Sequence, residues 1–159
     1  MYRQVTRRIR EGVLAQEFED NDRMVKLEVI FTGRFIEAYE SWKQGQKTTE
    51  SWFIAFETTE KNNYLVLQHL FLGINAHINL DLGIAAVEAV EIEPIEGIQN
   101  DFNTINSVLA ELVEGVKTNI STVSPTFGWL IPLAKGRDEL LLNFSIQVAR
   151  DGAWKYAEE

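Results

Sequence analysis

LVLQHLFLGINAHINLDLGIAAV, residues 65–87, is long enough to cross a bilayer, yet it holds both of the chain's histidines, two asparagines and an aspartate. A helix facing lipid carries groups such as Asn75, Asn79 and Asp81 only at a cost. The segment therefore reads as an interior rod and not as a membrane span. It is apolar nearly all round because its neighbours bury it nearly all round. Its polar side chains then need partners, since each buried one left without a partner costs about 1–3 kcal/mol.

At about 100° per residue in a regular helix, Gln68, Asn75 and Asn79 share one stripe, with His77 and Asp81 on the opposite side. His69, Gly73, His77 and Asp81 form a row at i, i+4 spacing. A glycine in mid-helix costs about 1 kcal/mol against alanine. Gly73 thus predicts a close approach at that point, by a crossing helix or by a ligand.

The helical period continues on both sides. Met24, Leu27, Phe31, Phe35, Ala38 and Trp42 follow at steps of three, four, four, three and four. Ile98, Phe102, Ile105, Leu109, Leu112 and Val116 form a second stripe, and Leu142, Ile146, Ala149, Ala153 and Ala157 a third. Stripes of this kind pack one face on a core. Trp52, Phe53 and Phe56 predict a short helix capped by Thr48 or Thr49, followed by a polar loop at 57–63. Pro94 ends the quoted segment, and residues 121–136 form one long irregular stretch, with Pro125, Gly128, Pro132 and Gly136. No repeat, low-complexity tract or linker divides the chain. The fold class is all-α, one domain over 1–159, a bundle of six or seven helices around a buried central helix at about 64–90.

Twenty-four acidic against 15 basic side chains give a net charge of −9, which disfavours binding to a phosphate backbone, so no nucleic-acid partner is expected. Arg3, Arg7, Arg8 and Arg10 crowd the first ten residues, which contain no acid. That basic turn is a solvated face or a docking element, for its own acidic body or for a second copy, so a homodimer is one expectation. The absence of cysteine excludes disulfides, thiolate metal sites and a cysteine nucleophile, and fits a cytoplasmic address.

His77 and Asp81, one turn apart, suit a direct hydrogen bond or joint capture of a metal ion. His69 fits such a site poorly, lying eight residues and about 12 Å of rise from His77. Further ligands would be oxygen donors, with Asp101 of the NDFNTIN stretch the candidate by chain order. Such a set suits a divalent ion such as magnesium or manganese as well as zinc. Trp52, Arg34 and Arg150 are secondary pocket candidates, with Gly73, Asn75 and Asn79 beside them. An arginine there would hold an anionic substrate of a class the sequence leaves open. No serine nucleophile elbow, phosphate loop or Rossmann glycine pattern is present.

LQHLFLGINAHINLDLGIAA, with FTGRFIEAY and SWFIAF upstream and NDFNTIN and ARDGAWKYA downstream, resembles a bacterial family of all-helical proteins of unknown function. The resemblance covers most of the chain, is most specific at GINAHINLD, and implies an all-α domain without implying an activity. Gly73, His77 and Asp81 also fit G-x-x-x-H-x-x-x-D, which is similar to a metal-binding helix of the zinc-dependent phospholipase C superfamily, whose members cleave phosphodiesters. This chain has no histidine after His77, so a three-zinc cluster cannot be assembled and the resemblance implies at most a reduced site. Two functions follow. One is a non-catalytic helical module whose buried His/Asp/Asn hydrogen bonds fix helix register. The other is a metal-dependent, phosphoesterase-like hydrolase or small-ligand-binding protein, with His77 as general base or ligand and Asp81 orienting or coordinating.

Overall fold

The computed structural model describes residues 2–61, 64–92, 94–105, 108 and 137–158. Among these residues every regular element is helical. Helix α1 spans Tyr2–Leu14, α2 Asn21–Lys43 and α3 Glu50–Thr59. The central rod, α4, runs without interruption through Val66–Ile74, a π-helical segment Asn75–Asp81, and Leu82–Val90. A 3₁₀ turn at Ile95–Ile98 leads into α5, residues 99–105, and α6 spans Arg137–Glu158. The expected all-α bundle is what the chain forms. Leu109, Leu112, Val116 and the irregular stretch at 121–136 lie outside the described residues.

Helix α2 follows from its stripe. In α2, Met24, Leu27, Phe31 and Ala38 are buried, and each large one adds about 1.5–3 kcal/mol on leaving water. Asp20 caps α2 by accepting the Arg23 amide at 3.0 Å, while Asp22 in the first turn and Lys43 in the last oppose the helix dipole. Thr49 takes the cap position of α3, as its type predicts, but its hydroxyl makes no capping bond. That helix continues to Thr59, so the loop expected from residue 57 begins later, the Glu57 carboxylate instead pairing with Lys61 one turn on. Gln68 starts α4 by reaching back to the Leu65 amide at 2.8 Å.

The rod is less completely sheathed than its composition predicts. Ile74, Ala76, Ile78, Asp81, Leu82, Ala85, Ala86, Ala89 and Val90 are buried, whereas Leu65, Val66, Asn75 and Val87 are exposed. Gln68–Val90 is the one described helix long and apolar enough to cross a bilayer, and 44% of its most apolar window is buried. Its inner half meets α2, α3, α5 and α6 through one large apolar cluster and a smaller one around Trp52.

Among the described residues, no crossing helix comes close at Gly73. Outside its chain neighbours and its own helix backbone, no atom of the described residues lies within 4 Å of a Cβ built on it. The close approach is at Gly83, where a Cβ would sit 2.8 Å from the Ala153 carbonyl oxygen of α6. Gly152 of α6 in turn lies against the Asn79 side-chain oxygen. The small residues of the C-terminal stripe thus make the close helix contact, nearly three turns further along the rod than Gly73.

Candidate functional site

The π segment creates the site. Its backbone closes on the fifth residue back, the Leu82 amide donating to the His77 carbonyl, instead of on the fourth. The wider turn shifts the phase of everything after it, so a regular wheel set at Gln68 does not hold at Asp81. Segments of this kind occur often at functional positions.

Asp81 is 1% exposed and bound from three segments. Its Oδ1 accepts from Arg34 Nε of α2 at 2.9 Å, and its Oδ2 accepts from Trp52 Nε1 of α3 at 2.7 Å. His77 Nδ1 lies 3.3 Å from the same Oδ2. A carboxylate can only accept, so that bond requires the His77 proton on Nδ1. Arg34 also approaches Glu88 at 4.0 Å, at the edge of the same cluster.

His77 is held by aromatic rings. Its imidazole stacks on Phe31 with centroids 3.8 Å apart and planes 10° from parallel. Phe35 and Trp52 flank it at 5.8 Å each. Burial depresses its pKa below the ordinary histidine value, and the Asp81 hydrogen bond and charge offset that only in part. The ring is therefore neutral at neutral pH.

The predicted residues divide between this site and other places. His77, Asp81, Arg34 and Trp52 come together. Asp101 is engaged elsewhere: its Oδ1 accepts from the Glu19 amide at 2.7 Å and its Oδ2 from the Asp20 amide at 3.0 Å. His69 lies beside Tyr64, ring centroids 5.7 Å apart, its Nδ1 buried with no hydrogen-bond partner among the described residues. Asn79 donates to Asn75 at 3.1 Å, and both line a shallow cleft against α6 with Gly152. Arg150 pairs with its neighbour Asp151.

A cavity of about 210 Å³ opens beside Asp81, Arg34 and Trp52. Glu37, Ala38, Ser41, Lys47, Thr48 and Thr49 complete its wall. Sequence reasoning did not single these out as a group, because they join the end of α2 to the start of α3 and share no motif. The nearest signal was the polar run from Gly45 to Thr49.

A family model, described as a family of unknown function (DUF5995), matches residues 1–159. The chain belongs to that family. No curated protein and no solved structure matches this DUF5995 chain.

The donor set of the DUF5995 chain does not fit the metal site that the phospholipase resemblance implies. Both Asp81 oxygens already accept hydrogen bonds, one from a guanidinium that would repel a cation. Asp101 gives its oxygens to backbone amides. Among the described residues no group of three or more histidine, aspartate or glutamate side chains could hold an ion.

Proposed function

We propose that this chain is a non-catalytic helical module, held in register by Asp81 and acting through its outer surface. One observation carries the reading: a single buried carboxylate takes donors from α2 and α3 and from the rod itself, at the one place where the rod changes helical type. That arrangement spends Asp81 on bonds within the protein. It leaves His77 neutral, stacked on Phe31 and flanked by Phe35 and Trp52, which suits positioning better than proton transfer to a substrate.

Asp81→Asn tests it. The variant keeps the shape but loses the charge that Arg34 and Trp52 are bound to. Breaking a buried ion pair costs about 3–5 kcal/mol. The lower end is expected here, because Arg34 keeps 24% of its side-chain surface in solvent. The melting temperature should fall sharply while chelators change nothing in the parent protein. A variant that melts like the parent would remove the basis of the reading.

A small-ligand site is the second reading, favoured by the cavity that Asp81, Arg34 and Trp52 share with Lys47 and three hydroxyl residues. At about 210 Å³ it lies below the roughly 300–1,000 Å³ of ordinary ligand pockets, which places it second. Thermal upshift on adding small carboxylates or amino acids, abolished by Lys47→Ala, would bring it forward.

A further inference from the structure

The outer face of α2 carries a stripe that nothing in the described fold covers. Asp22, Val25, Val29, Gly33, Ile36, Glu40 and Lys43 are all exposed, at steps of three, four, four, three, four and three. Val29 is 62% and Ile36 51% exposed, and the two sit either side of Gly33. A glycine in mid-helix is a cost that alanine would avoid. Yet, outside its chain neighbours and its own helix backbone, no atom of the described residues comes within 4 Å of a Cβ placed at Gly33. The stripe is apolar in the middle, and its ends are charged with opposite sign.

We propose that α2 pairs antiparallel with α2 of a second copy of this chain, crossing at Gly33. A two-fold axis between Thr32 and Gly33 sets Val29 against Ile36 of the partner subunit, and Ile36 against the partner's Val29. The same axis sets Asp22 opposite Lys43 of the partner subunit, twice. Val25 then meets the partner's Glu40 at the flank, where the carboxylate reaches water. A parallel pairing would instead put like against like, Asp22 on Asp22 and Lys43 on Lys43. The self-complementary pattern is what a two-fold interface requires, since each residue and its opposite exchange roles across the axis. The glycine lets the two backbones approach closely at the crossing. One helix pair makes an interface at the small end of the range for specific complexes, so the association is reversible.

This face is separate from the basic turn expected to carry a homodimer. There, Arg7 pairs with Glu11 and Arg8 with Glu17, each at 2.8 Å within the same chain. The α2 pairing is also independent of the role given to Asp81, whose loss changes melting and not mass.

Sedimentation equilibrium of the full chain, from micromolar to millimolar concentration, tests the proposal. The mass is expected to rise from one to two chains across that range. Val29→Glu and Ile36→Glu, both on exposed positions, should hold it at one chain with the melting curve unchanged. Asp22→Lys should weaken association by about tenfold through repulsion from the partner's Lys43, and adding Lys43→Asp should restore it. A protein that stays monomeric at millimolar concentration overturns the proposal. So does a dimer indifferent to Val29→Glu, or a double charge swap that fails to recover the single.

Discussion

Arg34 sits in a stretch, FTGRF, whose neighbours Phe31 and Phe35 face the core and pack around His77. A guanidinium is tolerated there because Asp81 answers it. The aspartate in turn is tolerated because the Trp52 indole and the His77 imidazole take up its other oxygen. His77 is the titrating member within reach of physiological pH. Its folded pKa is depressed by burial, so the unfolded chain binds a proton first as pH falls. The stability it contributes is complete above the unfolded value of about 6.5 and is lost as pH drops from there through the folded value, by at most about 1.4 kcal/mol per pH unit. Denaturant titrations between neutral pH and the onset of carboxylate protonation should show that slope in the parent. His77→Phe, which preserves the stack on Phe31, should flatten it. An unchanged slope in His77→Phe would place the pH dependence on another group.

The helical elements were legible because their signal is a repeated one. Met24, Leu27, Phe31 and Ala38 announce α2 by spacing alone, and Ile98, Phe102 and Ile105 do the same for the turn into α5; all seven are buried. The π segment at Asn75–Asp81 was not legible. It differs from an α-helix by one backbone bond closing one residue further back, and no side-chain pattern encodes that bond. Its consequence is that the helical wheel placed the histidine–aspartate pair correctly relative to each other but could not say what they would face. The same limit hid the close crossing at Gly83, because a glycine's neighbours depend on where another helix passes. Gly73 and Gly83, ten residues apart in one rod, should therefore respond oppositely to alanine. At Gly83 the new Cβ meets the Ala153 carbonyl at 2.8 Å and Ala153 Cα at 3.3 Å, both backbone atoms, and the overpacking should cost about 2 kcal/mol. At Gly73, where nothing described lies within 4 Å, alanine should gain up to about 1 kcal/mol of helix propensity. Paired thermal melts decide it, and a loss at Gly73 comparable to that at Gly83 would mean the site near His77 needs the glycine for itself.

Across the whole molecule, two buried aspartates divide the task of tying distant parts of the chain together. Asp81 joins the rod to α2 and α3. Asp101 joins α5 to the turn between α1 and α2, more than eighty residues earlier, with Asn100 bonded to Glu19 beside it at 2.9 Å. Chain order made Asp101 a candidate partner for His77 because both lie on or just after the rod. The sequence holds no sign that the Glu19 and Asp20 amides need an acceptor. Those two amides precede the first turn of α2, and Asp20 is itself the α2 cap. Asp101 therefore controls how α2 starts, and through α2 the position of Arg34 against Asp81. Replacing Asp101 with alanine leaves two backbone amides without their acceptor, each a hydrogen bond to a charged group, at about 1.5–3 kcal/mol apiece. Asp101→Asn keeps one accepting oxygen and should cost about half as much. Native-state hydrogen exchange should show the Glu19 and Asp20 amides losing protection first, ahead of the rod, because the opening is local to the α1–α2 turn. Exchange that accelerates uniformly instead would mean the turn opens only with the whole bundle, and that Asp101 stabilises the molecule globally with no separate hold on the start of α2.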